Sequence, residues 1–330
     1  MYFDIAMPLT LFLVTIVAIF LERKAEGKLK GVLEERKLRV RDSALLVAAI
    51  SITVSLMVFI PQTAVMTMFL FSYCMLLFIF TFIFSDFQKI KAKLFCSAFL
   101  VVSFLVATIS LFNFGVNMMV AYGALALFCL FGFAFTALIH EEGRASTGER
   151  WYLAVLPPAL FLCLYIFYSR TPIWFPYLLN LYGVVFAVLV TLYLGSLFTW
   201  KTSLIFVGFL TIMDTILVLY TGTMISAARH VLGLRLPISV FVPTIPAIVS
   251  EGRMLYMSLG LGDFFFAGLI ATQTLKKFGK EIAVQSVISM SASFFIFEAF
   301  MLNFELSAFP GTLMIICGWI PVIMWKRLRH

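Results

Sequence analysis

Two aspartates in separate apolar stretches of the chain have the type and spacing to carry out chemistry. Asp214 lies in FLTIMDTILVLY, and Asp263 follows 49 residues later in LGLGDFFFAG. A carboxylate inside a bilayer costs roughly 2.5 to 3.5 kcal/mol on insertion scales, so each is a functional candidate. A third acid, Glu298 in FFIFEAFML, lies four residues from the end of its apolar stretch and can reach headgroups or water. Asp214 and Asp263 are therefore the primary candidates.

A close pair of carboxylates in a medium of low dielectric constant tends to share one proton, because ionising both is costly. The ionised member can take a proton from an attacking water. The protonated member can hydrogen-bond the carbonyl oxygen of a peptide as negative charge builds there. This is the chemistry of aspartic proteases, and it uses neither a metal nor a cofactor. The same pair would also suit a structural polar contact or a proton relay.

Two glycines accompany Asp263 in the Gly260-Leu261-Gly262 sequence that precedes it. Because glycine has no side chain, a substrate backbone can approach the acid there and the helix can loosen at modest cost. Glycine also serves close helix packing in membranes, so a GxGD sequence alone is a weak signal. A partner acid at matching depth makes it more specific.

The composition is that of a membrane protein. Of the 330 residues, 63% are hydrophobic and 12% are charged, and the mean hydropathy is +1.08. Soluble domains have about 25% charged residues. Apolar runs of about 17 to 25 residues can cross a bilayer as helices. We therefore predict an all-α polytopic membrane protein with about 9–11 transmembrane helices. The eleven candidate spans are 6–21, 43–60, 64–84, 94–112, 118–138, 152–168, 177–197, 203–220, 255–275, 282–302 and 311–325.

The two aspartates are predicted to lie at nearly the same depth. Span 203–220 runs outward and carries Asp214 eleven residues from its inner end. Span 255–275 runs inward and carries Asp263 twelve residues from its inner end. At about 1.5 Å per residue these depths agree within a few ångströms. We therefore expect that the two carboxylates can face each other.

The distribution of basic residues predicts the orientation. When successive spans alternate, 20 of the 24 Lys and Arg residues fall in loops on one side. Such loops stay in the cytoplasm, which predicts an outside N-terminus and a cytoplasmic C-terminus. The formal charge of +8 is thereby attributed to orientation and not to nucleic-acid binding. The five cysteines lie inside apolar spans without a CxxC pair and predict neither disulfides nor a metal site.

The region from about Trp174 to Lys280 resembles the presenilin and signal peptide peptidase family of intramembrane aspartyl proteases. The order of the motifs, the separation of the two acids and the segment between them carry the resemblance. Weaker similarity covers residues 7–20 and 307–315. The matching sequences are WFPYLLNLYGVVFA (174–187), MDTILVLYTGTMISAARHVLGLRLPISVFVP (213–243) and LGLGDFFFAGL (259–269).

The resemblance implies roles for individual residues and regions. It implies a presenilin-like catalytic core at 171–330 and an N-terminal helical scaffold at 1–170, within a single membrane domain. Met213 departs from the family pattern, which usually has tyrosine before the first aspartate, and Pro310-Gly311-Thr312 stands where the family has Pro-Ala-Leu. The implied catalytic residues are Asp214 and Asp263, and the implied substrate-binding residues are Gly260, Leu261, Gly262, Pro310, Gly311 and Thr312.

Loop 221–254, which joins the two aspartate spans, is predicted to lie outside, as in the signal peptide peptidase branch. This implies substrates with one span and a cytoplasmic N-terminus, including remnant signal peptides. Within the loop, RLPISVFVPTIP (235–246) mixes β-branched residues with prolines and predicts an extended segment. Such a segment either pairs with an unwound substrate strand or simply connects two spans along the membrane surface.

Other functions agree with parts of this pattern. A secondary transporter or proton-coupled carrier would also use a midplane acid pair and glycine-broken helices, but it tends to contain an internal repeat, which we do not find. Prepilin-peptidase-type enzymes also carry GxGD, but the run there usually continues to a lysine, whereas Phe264 follows Asp263 here. HEEGR at 140–144 lacks the HExxH spacing of a zinc site.

Overall fold

Helices form most of the described part of the chain, which is residues 2–32, 37–84, 89–112, 118–141, 151–250, 253–304, 306 and 308–328 of the computed structural model. This architecture confirms the predicted all-α polytopic class. A π-helical turn precedes α7 and another follows α8, at Trp174–Leu178 and Ile216–Tyr220. The helices are α1 (Ala6–Val32), α2 (Val40–Met57), α3 (Gln62–Ile83), α4 (Lys89–Phe112), α5 (Met118–Glu141), α6 (Leu156–Tyr168), α7 (Leu179–Leu197), α8 (Trp200–Thr215), α9 (Thr223–Leu232), α10 (Leu261–Phe278), α11 (Lys280–Asn303) and α12 (Gly311–Leu328).

Each of the eleven predicted spans overlaps a helix. Eight helices among the described residues are long and apolar enough to cross a membrane, namely α1 to α5, α7, α8 and α11. The apolar helices at Tyr152–Tyr168 and Gly311–Lys326 are shorter. Helix α10 carries three charged residues, Asp263, Lys276 and Lys277. The chain is thus a multi-pass membrane protein, and the choice between nine and eleven crossings stays a prediction.

The helices divide into two compact units, and the first consists of residues 1–66 and 176–330. Helix α10 is the centre of this unit, because it packs against α1, α7, α8, α11 and α12. All its residues from Phe264 to Thr274 are buried. A helix that is buried on every side needs apolar or small residues all round, which the FFFAGLIAT sequence supplies.

Close contact between α7 and α10 depends on a small residue. A Cβ atom on Gly268 would lie 2.4 Å from Cγ2 of Thr191, so a larger side chain would force the two helices apart. Small residues allow such approach in membranes, where dispersion contacts replace the hydrophobic effect as the force between helices. This contact fixes the axial position of α10, on which Asp263 lies.

The second compact unit comprises residues 67–175, with most of α3 and all of α4, α5 and α6. Its core is a cluster of buried side chains that includes Ala92, Cys96, Phe131 and Leu156. Large apolar side chains such as Phe133, which is 73% exposed, lie on its outer faces. In a bilayer these apolar faces contact lipid, and the backbone polar groups are satisfied within each helix.

Two short pairs of antiparallel strands lie between α9 and α10. Strand β1 (Ser239–Pro243) pairs with β4 (Tyr256–Gly260), and β2 (Val249–Ser250) pairs with β3 (Arg253–Met254). The prediction of an extended segment at 235–246 is confirmed for the residues of β1. The strands lead the chain from α9 to the start of α10.

Three local features differ from the sequence-based prediction. The predicted span 255–275 is wrong at its beginning, because residues up to Gly260 pair with β1 and the helix starts at Leu261. Helix α9 lies in a region that was predicted as loop, and α1 continues to Val32, well past the predicted end of its span. Residues 142–144 of the HEEGR stretch lie outside the described residues.

Candidate active site

Asp214 is the penultimate residue of α8, immediately before the π-helical turn at Ile216–Tyr220. A π-helical turn is wider than the α-helix that it follows, and such turns occur often at functional sites. The residue itself is partly exposed in the fold. The sequence therefore places this acid where a regular helix ends.

Asp263 lies in the first turn of α10, at the junction between strand and helix. The backbone amide of Gly260 interacts with its carboxylate, and a Cβ atom on Gly260 would lie 3.4 Å from Oδ2. The residue is partly exposed, as is Gly260. The side chain is thus held back towards the end of β4.

The start of α12 brings the two acids together. The hydroxyl of Thr312 donates a hydrogen bond to Oδ2 of Asp214 at 2.6 Å, and the Thr312 amide also interacts with that carboxylate. A Cβ atom on Gly311 would lie 2.5 Å from Oδ1 of Asp263. The carboxylate of Asp214 is also close enough to repel a negative charge on Asp263. Consecutive residues of α12 therefore contact both carboxylates, which lie 49 residues apart in sequence.

The other predicted substrate-binding residues surround this pair. Leu261 continues the strand ladder, since its amide donates to the carbonyl of Ile238 at 2.9 Å. Gly262 is exposed, and no atom lies within 4 Å of the position that its Cβ would take. Pro310 is buried directly before α12. Gly262 therefore leaves open space next to Asp263 in the first turn of α10.

The region carrying the departures from the family pattern contributes directly to the site. The sequence comparison gave no role to the hydroxyl of Thr312, yet it is the donor to Asp214. Glycine at 311 removes the Cβ atom that would collide with Asp263. Met213 lines a cavity of about 310 Å³ between α2 and α8, together with Phe209 and a stretch of α2 from residue 44 to 52.

Asn180 of α7 is a site-organising residue that the sequence did not identify. Its side-chain amide binds both backbone groups of Phe241 in β1: Nδ2 donates to the carbonyl oxygen at 2.5 Å, and the Phe241 amide donates to Oδ1 at 2.8 Å. The same face of α7 contacts β1 at Gly183, whose Cβ would lie 3.0 Å from Val240. In the sequence, Asn180 is distinguished only as an amide side chain within the apolar span 177–197.

Glu298 is part of a different cluster. Its side chain is 2% exposed, and neither carboxylate oxygen has a hydrogen-bond partner among the described residues. Its charged neighbour is Asp4, which accepts hydrogen bonds from the amides of Ala6, Met7 and Ile245. In the described ranges, His, Cys, Asp and Glu side chains form no group of three that could hold a metal ion.

No family model matches the chain, and comparisons with curated proteins and with solved structures also find no match.

Proposed function

We propose that the protein is an intramembrane aspartyl protease in which Asp214 and Asp263 activate a water molecule to hydrolyse a peptide bond within the bilayer. The observation that carries this proposal is the start of α12, where Thr312 donates to Asp214 and Gly311 touches Asp263. Two carboxylates that meet at one helix end, on residues that are both partly exposed, have the mutual proximity that water activation by an acid pair needs.

The hydrogen bonds suggest how the two acids divide the work. Asp214 accepts from both the hydroxyl and the amide of Thr312, and a carboxylate that already accepts hydrogen bonds suits the ionised role. Asp214 would take a proton from the attacking water, and the oxygen of that water would bond to the scissile carbonyl carbon. The proton on Asp263 would pass to the carbonyl oxygen. As the resulting diol collapses, one of its hydroxyls returns a proton to Asp263, the C–N bond breaks, and the amine leaves with the proton that Asp214 received.

Two further features support access of a peptide to the pair. The cavity between α2 and α8 is lined by small and apolar side chains and reaches Met213, the neighbour of Asp214. Strand β4 ends at Gly260, three residues before Asp263, and it pairs with β1. Because Asn180 occupies the backbone groups of Phe241, an unwound peptide would add to β4 in preference to β1.

The orientation and substrate class follow from the basic loops. With 20 of the 24 Lys and Arg residues on one side, we place the N-terminus outside and the C-terminus in the cytoplasm. The segment between α8 and α10 then lies outside, as in the signal peptide peptidase branch. Substrates are accordingly single-span proteins with a cytoplasmic N-terminus, including remnant signal peptides.

The test replaces each aspartate with its amide. Asp214→Asn and Asp263→Asn should each abolish cleavage of a membrane-embedded peptide while leaving the thermal unfolding midpoint close to that of the unmodified protein. Glu298→Gln is the matched control, because it removes another carboxyl from a spanning helix, and we expect it to cleave. Cleavage that survives either Asp→Asn change would refute the proposal. Proton-coupled uptake into liposomes without cleavage would favour a transporter instead.

A further inference from the structure

A second cavity, with a polar lining, lies at the opposite ends of the acid-bearing helices. It has a volume of about 220 Å³ and is bounded by the junction of α7 and α8, the last turn of α10, and residues near the ends of α1 and α2. Three of its lining residues are lysines, Lys37, Lys276 and Lys277, and one is a carboxylate, Glu26. A cavity with this lining favours an anion, because positive side chains outnumber negative ones.

The charges around the cavity leave capacity for a bound anion. Lys276 pairs with Glu22 at 2.7 Å and with Glu26 at 3.4 Å, which uses two of the three donors of its ammonium group. Lys37 and Lys277 are exposed and form no ion pair with a carboxylate among the described residues. Three positive charges thus face two negative ones, and the two exposed lysines are available for an additional negative group.

The position of the cavity indicates the source of that anion. Trp200 lines it, and the Trp200 ring packs against Phe278 and Trp319 with centroid distances of 5.2 and 6.0 Å. Tryptophan is enriched where a membrane meets water, and basic pockets between transmembrane helices bind lipid headgroups. The three lysines are among the 20 basic residues that are predicted to lie on one side of the membrane.

We propose that this cavity binds the phosphate group of an anionic phospholipid. Lys37 and Lys277 contact the phosphate, and the third donor of Lys276 completes the set. The acyl chains continue past the ring of Trp200 into the bilayer. This site is independent of the proposed catalytic chemistry and requires only that the chain is folded in a membrane.

The bound headgroup would connect the end of α10 with the segment before α2, beside the junction of α7 and α8. Thr199 caps α8 beside the cavity through reciprocal hydrogen bonds with Thr202, and Gln273 of α10 donates to the carbonyls of Gly195 and Phe198. A phosphate held by lysines of α10 and by the segment before α2 reinforces this junction. Anionic lipid should therefore raise the thermal stability of the protein.

The experiment measures the unfolding midpoint of the full-length protein by intrinsic fluorescence in detergent micelles. Phosphatidylglycerol is titrated in, with phosphatidylcholine as the neutral lipid and inorganic phosphate as the soluble anion. We expect a saturable rise with phosphatidylglycerol and none with the other two at equal concentration. Each lysine near a lipid surface contributes about 1 kcal/mol, so the double variant Lys37→Gln/Lys277→Gln should need roughly thirtyfold more phosphatidylglycerol for the same rise.

Two further variants keep this test decisive. Arg23→Gln/Lys24→Gln removes the same charge from exposed positions outside the cavity lining, and it should keep the phosphatidylglycerol response. The single variant Lys277→Gln should shift the response roughly fivefold, which provides a readout if the double variant is unstable in phosphatidylcholine. An unchanged response in the lysine variants, or an equal loss in the control, would overturn the proposal. An equal rise with inorganic phosphate would overturn the assignment to lipid and identify a soluble phosphate.

Discussion

Replacing Thr312 with valine isolates the contact between α12 and Asp214. The substitution keeps the branched shape of a side chain that is 4% exposed and removes the hydroxyl that donates to Oδ2 of Asp214 at 2.6 Å. A hydrogen bond to a charged group contributes about 1.5 to 3 kcal/mol. The Thr312 amide also interacts with Asp214 and survives the change, so we expect the lower part of this range. The predicted loss in kcat/KM is therefore roughly 10- to 30-fold.

The assay follows cleavage of a membrane-embedded peptide in micelles, with the thermal midpoint measured on the same preparation. Thr312→Ser is the matched control, because it retains the hydroxyl and loses only a methyl group. It should keep most of the activity. If Thr312→Val cleaves as fast as the unmodified protein, or if the serine variant is equally impaired, the hydroxyl has no role in positioning Asp214.

Three further substitutions test the packing that supports the site. Gly318→Ala should lower the free energy of unfolding by about 1 to 3 kcal/mol in a denaturant titration, because the new Cβ would lie 2.3 Å from the Ser289 carbonyl of α11. Gly208→Ala is the control, because its new Cβ has open space and should not destabilise the protein. Asn180→Leu removes both hydrogen bonds to β1 and should reduce cleavage more than it lowers the thermal midpoint, since β1 supports β4. Gln273→Leu removes the side-chain donor to two carbonyls at the junction of α7 and α8, of which that of Gly195 still accepts from the Phe198 amide, and it should cost about 1 to 3 kcal/mol in the same unfolding assay.

The sequence predicted the membrane helices well because their signal is local. An apolar run of sufficient length needs a helix to satisfy its backbone in lipid, whatever lies beside it. The same applies to β1, whose β-branched residues and prolines disfavour helix within the segment itself. Both predictions used only neighbouring residues, and the structure contains both elements.

The start of α10 was misplaced because its signal is not local. Residues Tyr256 to Gly260 are mostly apolar and read as the beginning of a span, but they form a strand because β1 offers them a partner. Helix α9 was missed for a related reason. It has ten residues and includes Arg229 and His230, so it resembles a polar loop more than a spanning helix.

The candidate site could be predicted in its acids and not in their partners. The matched depths of Asp214 and Asp263 follow from counting residues along two helices. Thr312, the donor to Asp214, lies 98 residues further along the chain. Asn180, which binds β1, lies 61 residues before its partner Phe241. Such contacts depend on how α12 and α7 pack, which no spacing within one helix specifies.

The junctions at which α10 and α12 begin have an electrostatic consequence. Asp263 lies in the first turn of α10. The first two residues of α12 contact one acid each, Gly311 with Asp263 and Thr312 with Asp214. The start of a helix carries a partial positive charge of about half an elementary charge, because its first amide groups have no partner within the helix. Two such ends together nearly match the single negative charge of a carboxyl pair that shares one proton. The backbone itself can therefore act as the counterion of this pair inside the membrane.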